Sequence, residues 1–138
     1  MRIMAIDYGD AHTGIAISDP TGLLAGFTTV INSRRQEVVV EQVTLLAKEH
    51  GAEELVLGHP VNMDGTLGPR SEKAKAMKVL LEEATSLPVV LWDERRTTID
   101  AHNILFNSGK NAKQRKKVVD AVAASLILEG YLTFKQRH

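Results

Sequence analysis

Short apolar runs separated by polar stretches fill the first quarter of the chain. A run at residues 3–6 ends at Asp7, and a second run at residues 14–19 ends at Pro20, with a glycine-containing polar stretch between them. Two such runs with this kind of connection are typical of a β-hairpin. A third run at residues 24–31, rich in β-branched residues, predicts another strand. The chain is therefore expected to open with three strands.

Helical spacing of apolar residues begins after the third run. Ser33 and Gln36 form a capping-box pattern, which predicts a helix over residues 34–50 with Gly51 as its stop. The apolar stripe of this helix consists of Val39, Val43, Leu46 and Ala47. A helix is therefore expected to pack on the sheet directly after the opening strands.

The second half of the chain alternates between strands and helices. Residues 55–57 predict a buried strand, a long loop follows at 58–68, and Pro69 suits the first turn of a helix. The further predicted elements are the apolar face of that helix (Ala74, Met77, Leu81 and Ala84), a strand at 89–92, a short helix from Thr97 or Thr98 to about Asn107, and a last helix from about Gln114 to about Tyr131. This order predicts a single α/β domain with a mixed five-stranded sheet flanked by helices.

Composition places the chain among ordinary globular proteins. Its 138 residues suit one domain, and 43% hydrophobic with 25% charged residues is typical of soluble proteins. The absence of cysteine excludes disulfides and thiolate chemistry. No apolar run reaches the length of a membrane span, and Asp7 interrupts the first one too early for a signal peptide. We therefore expect a cytoplasmic protein without a membrane partner.

Charge is balanced overall but unevenly distributed. Equal numbers of basic and acidic residues (17 each) argue against a protein that coats nucleic acid by charge alone. Basic residues nevertheless gather in two places: Lys110, Lys113, Arg115, Lys116 and Lys117, and the helical series Arg70, Lys73, Lys75 and Lys78. Each group is open to two interpretations, a solvated surface or a local site for a polyanion.

Asp7 is the residue around which the candidate chemistry is organised. It ends the first apolar run, where a central strand is expected to leave the core. Burying a carboxylate there without a partner costs several kcal/mol on the scale for uncompensated charge. A divalent cation is a natural compensating partner.

A second acid lies in the last predicted helix. Asp120 is followed at helical spacing by Ala123, Ala124 and Ile127, so it lies on or beside an apolar stripe. Small alanines let such a helix approach the sheet closely. For this acid alone, a structural salt bridge to an arginine remains an alternative interpretation.

The third acid follows the strand at residues 89–92. Strands that run parallel direct their carboxyl ends to one edge of a sheet, so Glu94 is expected to converge there with Asp7 and Asp120. Asp93 and Glu94 point to opposite faces if the strand continues, and Glu94 is the predicted ligand of the two. Three carboxylates suit Mg²⁺ or Mn²⁺, the ions that assist phosphoryl transfer.

The motifs, in chain order, are Asp7-Tyr8-Gly9, Gly14-Ile15-Ala16, Gly58-His59-Pro60, Asn62-Met63-Asp64-Gly65-Thr66, Gly68-Pro69-Arg70, Asp93-Glu94-Arg95 with Thr97-Thr98, and Asp120-Ala121-Val122-Ala123-Ala124. Over nearly the whole chain they resemble the YqgF family, also called RuvX and described both as Holliday junction resolvases and as pre-16S rRNA nucleases.

The resemblance implies an RNase H-like nuclease domain over residues 1–138, a cytoplasmic location and a hydrolase that matures the 5′ end of 16S ribosomal RNA. It assigns the catalytic and metal-binding roles to Asp7, Glu94 and Asp120. In one respect the chain departs from many RNase H-like nucleases, which carry an acid at the end of the strand beside the first acid. Here that strand ends in Gly58-His59-Pro60, so the second acid must come from the following strand.

Further side chains are predicted to contact substrate: Tyr8, Asn62, Asp64, Thr66, Arg70, Arg95, Lys116 and Lys117. Arginines suit bidentate contact with phosphates, lysines suit a flanking strand, and the tyrosine suits stacking on a base. The three residues of the long loop have an equally good structural explanation as turn formers.

Four functions stay open at this point. A metal-dependent nuclease acting on RNA, with ribosomal precursor particles as a further partner, is favoured over a DNA junction resolvase, which needs a symmetric dimer. A kinase or actin-like protein is disfavoured because those proteins close two domains around a nucleotide. The fourth reading is a non-catalytic RNA-binding factor in ribosome assembly. We expect a monomer or a weak homodimer.

Overall fold

A computed structural model describes residues 1–19, 25–60, 65–93 and 112–137 of the chain. The elements within these ranges are β1 (Ile3–Asp7), β2 (His12–Ser18), β3 (Ala25–Asn32), α1 (Gln36–His50), β4 (Glu54–His59), α2 (Pro69–Thr85), β5 (Val89–Asp93) and α3 (Ala112–Arg137). The strands form one sheet in the order β3-β2-β1-β4-β5.

The sheet is mixed, as the sequence predicts. Strand β2 pairs antiparallel with both β1 and β3, which confirms the opening hairpin and its third strand. Strand β4 pairs parallel with both β1 and β5. Strands β1, β4 and β5 therefore end at the same edge of the sheet, which we call the carboxyl edge, and β1 is the central strand.

Helices α1 and α2 cover one face of the sheet, which we call the α1–α2 face. Alternate residues of the central strands, such as Met4, Ile6, Leu55 and Leu57, are fully buried there. The helical side of this core consists of Val39, Val43 and Ala47 of α1 and Ala74, Met77 and Leu81 of α2. Burying side chains of this size contributes about 1.5–3 kcal/mol each, so this core is a main source of stability.

Helix α3 covers the opposite face, which we call the α3 face. The strand residues buried beneath it are Ile3, Ala5, Ala16, Val56 and Trp92. The helix contributes Ala124, Ile127, Leu128, Tyr131 and Leu132. Small side chains on the central strands let the helix pack close to the sheet, and Trp92 fills the space at the β5 edge.

The capping-box prediction for α1 is wrong. The helix begins at Gln36 with Arg35 as its extended N-cap residue, and no side chain caps it. The Ser33 hydroxyl instead accepts a hydrogen bond from the Arg35 backbone N–H at 3.1 Å, so it serves the turn before the helix. The predicted stop is confirmed, since Gly51 ends the helix in the left-handed region at φ 68°.

Several predicted boundaries shift in the structure. Gly58 and His59, predicted to lie in the loop, belong to β4 because they pair with Trp92 and Asp93. Helix α2 begins at Pro69 as predicted, but its buried face is Ser71, Ala74, Met77 and Leu81. Ala84, predicted on that face, is exposed in the last turn of the helix. The predicted short helix ending near residue 107 lies outside the described residues.

In the described part of the chain, no helix combines the length and the hydrophobicity that crossing a membrane requires.

Candidate active site

Asp7 lies at the carboxyl edge, at the end of the central strand. Side chains alternate between faces along a strand, and Ile3 and Ala5 of β1 are buried on the α3 face. Asp7 therefore belongs to the α3 face. It is partly exposed, and within the described residues no lysine or arginine forms an ion pair with it.

Two glycines flank Asp7 in the sheet. Gly14 of β2 is its antiparallel partner, and the pairing of Ile6 with Leu57 brings Gly58 of β4 level with it on the other side. Residues opposite each other in a sheet share a face, so both lateral neighbours of the Asp7 carboxylate lack a side chain. Both glycines are buried, and neither strand places a side chain beside the carboxylate, where a Cβ would narrow the available space. Only the strand register reveals this role of the two glycines.

The donor chemistry of this position fits a divalent cation. A carboxylate oxygen is the preferred ligand of Mg²⁺, which keeps several of its own waters when it binds. Asp7 offers such an oxygen at a partly exposed edge, and the two neighbouring strands place no side chain beside it. A zinc site, by contrast, prefers nitrogen and sulfur ligands.

Strand β5 reaches the same edge two strands away from β1. Trp92 pairs with Gly58 and packs on the α3 face, so Asp93 belongs to the α1–α2 face. Asp93 thus does not share a face with Asp7. Glu94 itself lies outside the described residues. Because β4 separates the two strands, their axes lie roughly 10 Å apart.

Asp120 lies on α3, for which the structure describes the helical backbone at this position. Ala124 and Ile127, four and seven residues later, are buried against the α3 face. The same helix carries Lys116 and Lys117 one turn before Asp120. The predicted set Asp7, Glu94 and Asp120 stays a prediction, and the described residues alone contain no group of three metal-ligating side chains.

A groove opens at the carboxyl edge on the other side of the sheet. Tyr8 follows Asp7 and packs against the core of the α1–α2 face, so the two side chains point to opposite faces. This edge groove is lined by Tyr8, Gly9, Asp10, Gly58, Pro60, Arg70, Lys73 and Ala74. The structure therefore brings the predicted substrate residues Tyr8 and Arg70 together, but on the face opposite to Asp7.

An ion pair crosses the edge groove. Lys73 Nζ donates to Asp10 Oδ1 at 3.2 Å, and this hydrogen bond lowers the pKa of Asp10 below its ordinary value. The charges of Lys73, Arg70 and Arg34 lower this pKa further. The two remaining lysines of the predicted basic series have helical partners, since Lys75 pairs with Glu72 at 3.6 Å and Lys78 pairs with Glu82 at 3.8 Å.

Two histidines are fixed near the carboxyl edge. His59 Nε2 lies 2.6 Å from the Ser71 hydroxyl, a contact that ties the end of β4 to the first turn of α2. His12 Nδ1 lies 2.7 Å from Asn32 Oδ1, joining β2 to β3. Both histidines therefore have structural partners that the sequence pattern did not suggest.

The structure does not place the other predicted substrate residues of the loop, or Arg95, at the edge groove or beside Asp7. Thr66 is exposed in the segment before α2. Asn62, Asp64 and Arg95 lie outside the described residues.

Comparison with known proteins identifies close relatives. The family model described as "RuvX: Holliday junction resolvase" matches residues 1–134. A protein of Halothermothrix orenii named "Putative pre-16S rRNA nuclease" is 42% identical over 137 residues, 99% of this chain and 98% of its own. A protein of the same name from Listeria monocytogenes serotype 4b is 44% identical over 134 residues, 96% of this chain and 97% of its own.

The fold also matches a solved structure, that of T. thermophilus RuvC in complex with Holliday junction substrate. The two superpose with a TM-score of 0.63 at 12% sequence identity, covering 99% of this chain and 96% of the other. A structural match with so little sequence identity establishes a shared fold and nothing about function. The architecture is thus the RNase H-like α/β fold that the sequence predicts.

Proposed function

The chain belongs to the RuvX family, and from this premise we propose that it is a metal-dependent nuclease that hydrolyses phosphodiester bonds of nucleic acid. The 138 residues act as one nuclease domain. One observation carries the proposal: a carboxylate, Asp7, ends the central strand with a glycine on each side and no cationic partner among the described residues.

The proposed substrate is RNA, namely the 5′ end of precursor 16S ribosomal RNA, which the protein meets in the cytoplasm on ribosomal precursor particles. The names of the relatives support this choice. Cleavage of a four-way DNA junction is the second candidate, supported by the description of the family and by the likeness in fold to RuvC. The protein acts as a monomer or a weak homodimer.

Asp7, Glu94 and Asp120 are the proposed ligands of Mg²⁺ or Mn²⁺. The bound ion would polarise the phosphoryl oxygen and lower the pKa of an attacking water. Asp7 fits this role by its position, and the glycines beside it leave room for the phosphate to approach. Glu94, with its longer side chain, is suited to bridge part of the distance that β4 imposes between β1 and β5.

The anchoring of α3 supports the approach of Asp120 to this site. The hydroxyl of Tyr131 donates to Glu54 at the amino end of β4. Asp120 lies eleven residues before Tyr131, close to three full turns, so both lie on the same side of the helix, about 16 Å apart along its axis. The four strand residues from Glu54 to the level of Asp7 span about 13 Å. A helix running back along the strands therefore brings Asp120 to the level of the carboxyl edge.

The remaining proposed contacts hold and orient the substrate. They are Tyr8, Asn62, Asp64, Thr66, Arg70, Arg95, Lys116 and Lys117. Arginines and lysines suit the phosphates, and a tyrosine suits an unstacked base, as expected for single-stranded RNA.

The experiment compares cleavage of precursor 16S rRNA and of a four-way DNA junction by wild type and by Asp7→Asn. We expect wild type to cleave the RNA in the presence of Mg²⁺ or Mn²⁺, and excess chelator or Asp7→Asn to stop cleavage without loss of RNA binding. Cleavage of the junction alone would establish the second candidate. Undiminished cleavage in excess chelator would contradict the metal mechanism, and RNA binding without any cleavage would point to an assembly factor.

A further inference from the structure

Three cations gather where α1 and α2 begin, beside the edge groove. Arg34 lies two residues before α1, and Arg70 and Lys73 lie in the first two turns of α2. All three are exposed, and all three charges act on Asp10. We call Arg34, Arg70 and Lys73 the basic rim. With Asp10 as the acid among them, the rim and its acid carry a net charge of +2, that is three positive charges less one.

We propose that the basic rim binds the phosphodiester backbone of the substrate strand after that strand has crossed the carboxyl edge from the Asp7 side. The inference rests on the proposed function, because it assigns a path to the strand that Asp7 cuts. It adds Arg34, Lys73 and Asp10 to the substrate-binding surface and gives Arg70 a location on it.

The thinness of the sheet at this edge makes such a path short. Asp7 and Tyr8 are consecutive, yet one belongs to the α3 face and the other lines the edge groove on the α1–α2 face. Gly58 borders both the groove and the Asp7 position, and it presents no side chain as an obstacle. A flexible single strand can therefore contact Asp7 with one nucleotide and the rim with those that follow.

The local backbone favours an anion at the same place. Helix α2 begins at Pro69 after Gly68, and no side chain caps it. The amino end of a helix carries a partial positive charge, which adds to the charges of Arg70 and Lys73. The rim itself combines two cations of α2 that line the groove with a third, Arg34, from the turn before α1, and this distinguishes the α2 amino end from an ordinary helix end.

Asp10 makes the rim adjustable. Its carboxylate holds Lys73 in place, but the side chains of Asp10 and Lys73 are 76% and 59% exposed. Ion pairs this exposed contribute little to stability, so a phosphate can take the place of Asp10 on Lys73 at small cost. The acid thus keeps Lys73 oriented toward the groove and weakens the hold on any polyanion that does not reach the whole rim.

The test measures binding of a single-stranded RNA oligonucleotide at several salt concentrations, with every protein in the Asp7→Asn background so that no cleavage intervenes. The slope of log K against log salt is negative, and Arg34→Gln, Arg70→Gln and Lys73→Gln are each expected to reduce its magnitude by about 0.7, the value for one phosphate contact with a single strand. Lys48→Gln is the matched control. It removes a charge at the other end of α1, about 20 Å from Arg34, and should leave the slope unchanged.

Asp10→Asn tests the rim in the opposite direction. Removing the acid frees Lys73 and removes a repulsive charge, so RNA binding at low salt should tighten by about two- to fivefold. The same oligonucleotide in DNA serves as a parallel arm. Equal slopes for RNA and DNA would mean that the rim contacts phosphates alone, and a loss confined to RNA would add the 2′-hydroxyl to its contacts.

The two proposals fail in different ways. The basic rim would be overturned if the rim variants bound RNA with the same salt slope and the same affinity as the Asp7→Asn protein that carries no rim substitution. In that case, metal-dependent cleavage by the wild-type protein would still support the nuclease. Reduced slopes in a protein that cleaves nothing would establish the rim and contradict the nuclease. Because the side chains of Asp10 and of the three rim residues are exposed, unfolding is not expected, and unchanged thermal unfolding of each variant checks this directly.

Discussion

Two acids on the α3 face lie at opposite ends of the parallel strands and have opposite surroundings. Glu54, at the amino end of β4, is only 7% exposed, and its carboxylate accepts hydrogen bonds from the Tyr131 hydroxyl and, at 2.8 Å, from Lys135 Nζ. Asp7, at the carboxyl end of β1, is partly exposed. Its neighbours on the adjacent strands are the glycines Gly14 and Gly58, which have no side chain to donate a hydrogen bond.

The difference separates a structural acid from the acid proposed to be catalytic. Glu54 is buried, paired and hydrogen-bonded, which is the condition under which a buried charge is tolerated. It attaches the carboxyl-terminal half of α3 to the sheet. Asp7 has no side chain beside it on either neighbouring strand and no ion pair with a cation among the described residues, so we infer that its charge is available to a ligand. Under the proposed function, the same side-chain chemistry serves the fold at one end of the sheet and the reaction at the other.

The largest expected effect comes from replacing each acid by its amide. The substitution at Asp7 should affect the cleavage rate, and the one at Glu54 should not. Asp7→Asn is expected to lower the rate of RNA cleavage by at least about a hundredfold, because one ligand contributes several kcal/mol of transition-state stabilisation. Glu54→Gln should leave kcat close to wild type at a temperature where it is folded. Single-turnover cleavage assays check both, and an equal loss in the two variants would remove the distinction.

Filling the space beside Asp7 should give the next largest effect. A methyl group at position 58 narrows the gap between β1 and β5, so Gly58→Ala is expected to lower the cleavage rate by about tenfold to a hundredfold, as for misplacement of reacting groups. The matched control is Gly26→Ala on the edge strand β3, where a Cβ would meet Asp19 at an ordinary 3.5 Å. Wild-type rates for both variants would contradict the role of the glycine.

At the structural end, Tyr131→Phe should reduce stability without affecting chemistry. It removes a donor from a buried carboxylate, and hydrogen bonds to charged groups contribute about 1.5–3 kcal/mol. Urea unfolding should show this loss in the free energy of unfolding, whereas Asp7→Asn should leave that free energy unchanged or slightly raised. A Tyr131→Phe variant as stable as wild type would mean that Lys135 alone suffices to hold Glu54.

The smallest effect concerns pH, and it vanishes near neutrality. Burial, together with the hydrogen bond and the negative charge of Glu54, raises the pKa of Tyr131 above its ordinary value. Above pH of about 10 the unfolded chain releases the phenolic proton while the folded protein keeps it, so the free energy of unfolding falls as pH rises. The fall should be smaller in Tyr131→Phe than in wild type. If the free energy of unfolding depended on pH equally in the two proteins, Tyr131 would not contribute to the fall at high pH.

Much of the fold could be predicted from local patterns. Apolar runs mark all five strands, and Gly51 and Pro69 mark helix boundaries correctly because each constrains the backbone by itself. The start of α1 could not be predicted from Ser33, since a hydroxyl near a helix can bond either the first turn or the residue before it. Gly58 and His59 read as loop because their strand pairing with β5 is not visible in the sequence.

The candidate site could be predicted in part. Asp7 stands out because it breaks an apolar run, but the two glycines beside it gain their meaning from pairings with distant strands. Glu54 and Tyr131 meet across 77 residues, and Asp10 and Lys73 across 63. Neither pair has a local signature, so the sequence pattern does not predict either contact.

The central claim is that Asp7 is an acid kept available for a divalent cation, and thermal unfolding with and without metal tests it most directly. An ion that binds the folded protein raises its melting temperature by mass action. Millimolar Mg²⁺ or Mn²⁺ should therefore raise the melting temperature of wild type and of Glu54→Gln, and leave that of Asp7→Asn unchanged. An equal rise in Asp7→Asn, or no rise in wild type, would contradict the account.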